Sequence, residues 1–282
     1  MPKLSLPLYT SLVPNSRIDL QRTAIESWDR AGFLVTSLNS HRESTSVSEV
    51  FPDVTCATVM RDAQQYTGKP VVFINDILQY IRDANVENGG IINSDIVITH
   101  GSTIAQLVTH LPQDTLLVCP RTDVNEPDQE DGLLDSFGYD AFFFHRSLLK
   151  DWGETSFNLG MPFWDHWFPI MSLLSGRRVL KLISDEFRHV RHTVERDNSF
   201  FMYNSHFAEI MVSQMLDNRI GFGDEFNYSS YPALWEAARA EERASPNSSQ
   251  VTPALEDLAQ FFDNLTRYVV RFIDARSEKI KI

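Results

Sequence analysis

Residues 91–98 read Ile-Ile-Asn-Ser-Asp-Ile-Val-Ile, a run that would be a fully buried strand but for Asn93, Ser94 and Asp95 at its centre. A carboxylate in such a place is costly unless it is paired, hydrogen-bonded or bound to metal. Asp95 is therefore a candidate ligand for a divalent cation that bridges a diphosphate; a solvated edge or a loop cap is the competing reading. Further along, Asp165 and His166 stand among Phe163, Trp164, Trp167 and Phe168, in what the pattern predicts to be the first turn of a helix starting near Pro162. A carboxylate and an imidazole beside aromatic faces can orient or deprotonate a sugar hydroxyl. The bland reading is a core helix whose Asp caps its own N-terminus, and for the aromatic residues themselves core packing is the better account. An Asp among aromatics is expected to have a raised pKa and to be the better base for it. His189 and His192 are spaced i, i+3, so one helical turn would present both to one site, where one can ligate a metal opposite Asp95; a solvated basic loop is the alternative. Arg17 precedes a helix and, with helix-terminal amides, suits a phosphate. Lys69 has the same reading, and both also read as plain surface cations.

Several chemistries lack their fingerprints. There is no Gly-x-Gly-x-x-Gly, no Gly-x-x-x-x-Gly-Lys-Ser/Thr and no Gly-x-Ser-x-Gly. Cys56 and Cys119 have no zinc-like spacing, and two cysteines make no disulfide framework, so a reducing compartment is the expectation.

These residues need elements to hold them. Strands and helices alternate along the chain. Residues 3–9 predict a strand, and Ser16 with Asp19 resembles a capping box for a helix bearing Leu20, Ala24 and Trp28 that stops near Gly32. Strands are predicted over 33–38, 54–59, 116–119 and 139–144. A helix is expected to start at Gly68-Lys69-Pro70, with Ile74, Ile77, Leu78 and Ile81 on one face, and another covers 102–111. Alternation of this kind argues for an α/β fold with a mostly parallel sheet covered by helices. Ligands of such sheets bind at the carboxyl ends of the strands. The polar clusters there are Thr10-Ser11, Asn39-Ser40, Asn93-Ser94-Asp95 and the segment from Arg121 to Asp123, and a nucleotide is expected among them. Residues 244–253 read as a linker, followed by a helix over 254–273 whose apolar stripe packs on the main domain or on a partner.

The chain has 282 residues, 43% of them hydrophobic, with 25 Lys+Arg against 38 Asp+Glu and a net charge of −13. A sizeable core is available, and no global field draws in phosphate backbones or anionic membranes. No apolar run approaches the roughly 20 residues of a membrane span, and residues 1–7 lack a signal-peptide core. The expectation is an acidic cytoplasmic protein.

Taken in order, the motifs resemble a known family. They are Thr10-Ser11 with Pro14 in the loop after strand one and Arg17 beside it; Ser37-Leu38-Asn39; Gly68-Lys69-Pro70; Asn93-Ser94-Asp95-Ile96; residues 138–144, Gly-Tyr-Asp-Ala-Phe-Phe-Phe; and Gly160, Pro162 and residues 164–167, Trp-Asp-His-Trp. Over residues 4–195 the sequence is similar to the GT-A nucleotide-diphospho-sugar glycosyltransferases. The resemblance implies a Rossmann-like mixed, mostly parallel sheet flanked by helices over residues 1–204, with residues 205–282 as a helical C-terminal extension packed on it or on a partner, where a homo-oligomer contact would lie. It implies a nucleotide-sugar donor, UDP-linked most often, and Mn²⁺ or Mg²⁺. Asp95 matches the metal-binding acid of the family's Asp-x-Asp motif, whose first acid is Asn93 here. Thr10, Ser11, Arg17, Asn39, Lys69, Asn93 and Ser94 fall with the donor pocket, and His189 or His192 with the late histidine of the metal shell. Asp165, with His166 beside it, falls where inverting members keep their base.

The activity so implied is sugar transfer to a hydroxyl of a glycan, protein or small molecule, by inversion with Asp165 as base, or by retention if no base lies behind the anomeric carbon. A nucleic-acid acceptor would rest on Arg177, Arg178 and Lys181 and on Arg188, Arg191 and Arg196, against the net charge. Two other classes compete. A sugar nucleotidyltransferase would want a glycine-rich loop after strand one, and residues 9–16 contain no glycine. A binding protein that has lost catalysis is kept open by Asn93.

Overall fold

The computed structural model describes residues 6–129, 131–192, 198–218, 228–244 and 252–282. Ten strands form one mixed sheet: β1 (Leu6–Thr10), β2 (Phe33–Ser40), β3 (Thr55–Val59), β4 (Asn88–Ile92), β5 (Ile96–Ile98), β6 (Thr115–Val124), β7 (Leu133–His145), β8 (Arg178–Leu182), β9 (Phe187–Val190) and β10 (Glu278–Ile280). The main path runs β10-β8-β6-β7-β4-β1-β2-β3, with β5 and β9 paired beside β6. Pairings are parallel except those of β7 with β4 and β6 and of β5 with β9. The helices are α1 (Ile18–Ala31), α2 (Ser44–Val50), α3 (Gln64–Thr67), α4 (Ile74–Ala84), α5 (Gly101–Thr109), α6 (Trp164–Leu174), α7 (Asn198–Asn218), α8 (Tyr231–Ala244) and α9 (Pro253–Arg276).

Period-two alternation splits the core between the two sheet faces. In β7, Phe142 and Phe144 join Ile77, Trp152, Trp164, Trp167 and Phe168 on one face, while Phe143 joins Leu8, Trp28, Ile104 and Phe187 on the other. Each phenylalanine so buried contributes about 1.5–3 kcal/mol. Trp164, Trp167 and Phe168 are core residues, as expected of them. The apolar stripe of α9 (Leu258, Phe261, Leu265, Val269, Phe272) is spent in the same core, and the expected boundary at 204/205 falls inside α7.

Several local expectations are corrected. The Ser16–Asp19 capping box does not form: Arg17 is the N-cap of α1, at φ 46°, and its side chain makes no cap bond. Gln21 does that job instead. Its amide donates to Ser16 O (2.6 Å) and Val13 O (2.9 Å) and its oxygen accepts from Val13 N (2.8 Å), which satisfies the loop before the helix. Gly68 does not open a helix; it closes α3 at φ 72°, and α4 begins at Ile74. The polar triad at 93–95 splits one apolar run into two strands, β4 and β5, that pair with different neighbours. Helix α2 had no periodic signal strong enough to read. The linker expected at 244–253 lies largely outside the described residues, as do residues 3–5 of the expected first strand.

Candidate active site

Asp95 stands in the turn between β4 and β5, beyond the carboxyl end of β1's neighbour β4. Helix α1 holds that turn in place. Trp28 Nε1 donates to Ile96 O at 2.8 Å, and Ile98 N donates to Ser27 Oγ at 3.0 Å, so backbone groups of β5 are satisfied from the helix. The same helix starts at Arg17, whose Nη1 reaches Asp95 Oδ2 at 2.9 Å. A left-handed φ at a non-glycine residue costs on the order of 1 kcal/mol and persists where surroundings enforce it; here it aims the guanidinium at the strand ends.

Two imidazoles meet the same carboxylate. His189 Nε2 and His192 Nε2 each lie 3.7 Å from Asp95 Oδ2 and 3.2 Å from one another. The expected helical turn is not what unites them: His189 is in β9, and His192 follows the strand's end. Asp95, His189 and His192 are the one group of potential metal ligands of this kind among the described residues. With bonds of about 2.1 Å, neighbouring ligand atoms lie about 3.0–3.4 Å apart; the 3.2 Å edge of this triangle is within that range and the two 3.7 Å edges would close by a few tenths of an ångström around an ion. His189 is also oriented as a ligand should be, because its Nδ1 lies 2.9 Å from Asp123 Oδ1, which leaves Nε2 for the site. Burial raises the Asp95 carboxyl, but the two imidazoles and Arg17 outweigh it and hold it well below the usual range. Burial lowers His189, and Asp95 more than reverses that, so its pKa is raised.

Behind this cluster lies a second layer that patterning did not resolve. Arg121 sits where the β6–β7 register shifts around Pro120, a residue with no N–H to give to a ladder. Its guanidinium reaches Asp123 (3.1 Å), Asp135 (3.1 Å) and Asp140 (2.9 Å). Asp140 in turn accepts from Asn93 Nδ2, and Asn93 N donates to Asp140 O at 2.9 Å. Burial pushes the Asp140 carboxyl up, and Arg121 offsets this only in part. Asp140 carried the same signal as Asp95, a carboxylate inside the apolar run 139–144. Asp135 and Gln21 carried none.

Asp165 lies in the first turn of α6, after Phe163 at φ 74°. Its Oδ2 accepts from Tyr139 N at 3.3 Å, which ties it to the residue before Asp140, and its Oδ1 lies 3.1 Å from His166 Nδ1. The expected raised pKa is corrected. Burial raises Asp165, but His166 and the backbone donors outweigh burial and bring it below the ordinary value. His166 moves the opposite way, lowered by burial and raised further by Asp165.

The remaining candidates differ in placement. Thr10 is fully buried, and its hydroxyl has no hydrogen-bond partner among the described residues. Asn39 is buried and committed: its amide donates to Leu12 O (2.8 Å) and Ser11 Oγ (3.4 Å), and its oxygen accepts from Ser37 Oγ (2.6 Å). It shapes the loop after β1. Ser11 and Ser94 are half-buried, and Lys69 is exposed in the turn closing α3. Of the basic residues named for a nucleic-acid face, Arg177, Arg178 and Lys181 are paired with acids, and Arg191 is exposed. Arg177 binds Asp114 and Asp151, Arg178 binds Glu278, and Lys181 binds Asp274. Arg188 is buried, and Arg196 lies outside the described residues.

No protein-family description and no curated protein matches the sequence. Solved structures do match. TarS residues 1–349 from S. aureus, in complex with UDP-GlcNAc, align at TM-score 0.53 and 15% identity over 97% of this chain and 84% of that one. The mannosyltransferase PcManGT from Pyrobaculum calidifontis, with GDP-Man and Mn²⁺, aligns at TM-score 0.43 and 14% identity over 98% and 86%. Among the described residues no helix is long and apolar enough to cross a membrane. The strand order, the antiparallel β7 within a mostly parallel sheet and the likeness to TarS identify the architecture of this chain as a GT-A-type, Rossmann-like fold.

Proposed function

We propose that this protein is a metal-dependent glycosyltransferase that moves a sugar from a nucleoside-diphosphate donor, UDP-linked, to a hydroxyl acceptor with inversion. The observation that carries the reading is the convergence of Arg17, Asp95, His189 and His192 at one strand end of a GT-A sheet. A structural relative bound to UDP-GlcNAc supports the donor class.

Asp95, His189 and His192 would hold the ion, and two imidazoles beside one carboxylate suit Mn²⁺ better than Mg²⁺, which prefers oxygen ligands. The ion, when bound, neutralises charge that grows on the departing diphosphate. Arg17 adds a fixed cation on the same side, preorganised by its backbone. Thr10 offers a buried hydroxyl to the nucleotide at the end of β1. Asp165 accepts the proton of the acceptor hydroxyl. Its lowered pKa keeps it ionised at neutral pH, at some loss of basicity, and the bond from Tyr139 N holds its orientation. Arg121 is a positioning residue: through Asp123 it sets the His189 ring, and through Asp140 it sets Asn93.

A thermal-shift series with UDP, GDP and CDP, each with and without Mn²⁺, tests the reading. A ligand that binds only the folded state raises Tm. One nucleotide with Mn²⁺ is expected to raise it in the native protein and not in Asp95→Ala. An equal shift in both proteins would remove Asp95 from the site.

A further inference from the structure

A cleft of about 660 Å³, whose lining includes none of Arg17, Asp95, His189 and His192, lies between the start of α3, the loop before α6, and helices α7 and α8. Its walls are not ordinary surface. Tyr66 is 60% exposed and Met202 37%, two large apolar side chains left open on facing walls of one cavity. Phe73 and Trp235 add flat faces, and each carries a guanidinium over its ring, Arg61 at 5.0 Å and Arg239 at 5.3 Å. Glu209 brings a carboxylate to the lining, while Asn158 is buried in the wall with its amide committed to Tyr203 and Val71. Tyr66 is a solvent-open aromatic plate with half-buried Phe73 and Trp235 and the polar Glu209 and Arg239 around it, a lining that suits a ligand with apolar ring faces and a hydroxyl rim, which describes a sugar.

Charge decides against an anion. Arg61 is spent on Asp76, with both carboxylate oxygens 2.9 Å from its Nε. Arg239 and Glu209 are of opposite sign. The lining is close to neutral, whereas a phosphate or a nucleotide would want net positive charge. The volume lies within the range of small-ligand sites and suits a short saccharide.

The cleft also reaches the chemistry by structure. Asn158 of its wall is held by Tyr203 Oη at 2.5 Å and lies on the loop that leads into α6 and Asp165. Phe163, the residue that caps α6, stacks on Phe207 at 4.5 Å with 7° between ring planes, next to His206 of the wall.

We propose that this cleft is the acceptor site and that the acceptor is a neutral saccharide, bound by Tyr66, Trp235 and Arg239. That the bound sugar is the acceptor rests on the glycosyltransferase reading; that the cleft binds a saccharide does not. Helices α7 and α8 are then the specificity elements of the chain.

Saturation-transfer NMR on the full chain with chitobiose, cellobiose and maltose, without nucleotide or metal, tests the binding. At least one disaccharide is expected to receive saturation on its ring C–H protons, and to lose it in Tyr66→Ala and in Arg239→Ala. Both side chains are exposed, so these variants keep the native Tm, which is checked in parallel. No saturation in the native protein, or saturation undiminished in both variants, overturns the proposal. The nucleotide thermal shift is read separately: if a disaccharide binds but no nucleotide shifts Tm, the cleft stands as a saccharide site and its role as acceptor site falls.

Discussion

His189 Nδ1 lies 2.9 Å from Asp123 Oδ1, and this one contact turns the opposite nitrogen toward Asp95 and His192. A ring held by a carboxylate on one side is a preformed ligand on the other. On the proposed reading, metal affinity would depend on residues that never touch the ion.

For the ligands themselves, Asp95→Ala is expected to abolish the stabilisation given by Mn²⁺. In the native protein at a hundredfold excess over Kd that stabilisation is about 2.7 kcal/mol. Calorimetric Tm values with Mn²⁺ and with a chelator measure the difference.

Arg121→Met is expected to weaken Mn²⁺ binding by about 10- to 100-fold through the loosened Asp123–His189 contact. It also leaves Asp123, Asp135 and Asp140 without their shared cation, two of them half-buried and Asp140 nearly fully buried, which destabilises the fold by about 3 kcal/mol. Titration calorimetry reads the first effect and urea midpoints the second. An unchanged Mn²⁺ affinity in a folded variant would show that Asp123 holds the ring unaided.

Asp165→Asn is expected to keep nucleotide binding while transfer falls about 10²- to 10⁴-fold. Donor Kd and product formation are measured side by side. Native turnover in the variant would make Asp165 a structural residue that serves Tyr139.

The Asp165–His166 pair also predicts a pH dependence. His166 has a raised pKa, so its contribution is complete below its unfolded value of about 6.5 and is lost as pH rises through the folded value. Asp165 has a lowered pKa, so its contribution is present above its unfolded value of about 3.9 and is lost as pH falls through the folded one. Between those limits both parts act. The stability gap between the native protein and His166→Gln is therefore expected to be about 3 kcal/mol near pH 5.5 and smaller at pH 8.5. Urea midpoints at the two pH values test it, and a gap that widens with pH would reverse the assignment.

The sequence by itself determined the alternation of strands and helices, the placement of Trp164, Trp167 and Phe168 in the core, and the presence of a carboxylate inside an apolar run at Asp95. Each of these is local: a period of side chains, or one charge inside an apolar run, is visible along the chain. The reading failed where two local rules competed, at Arg17, where Gln21 rather than a capping box satisfies the loop, and at Gly68, which ends a helix instead of starting one. Only the tertiary structure decided that Asp95, at one strand end, meets His189 and His192 from a strand ninety residues on. It alone decided that Asp165 is lowered and Asp140 raised. A carboxylate's pKa is fixed by which cation stands a few ångströms away: His166 follows Asp165 in the chain, and how far burial opposes it is set by the packing of α6, whereas Arg121 is brought to Asp140 by the pairing of β6 with β7, a relation between segments that no short window of sequence contains.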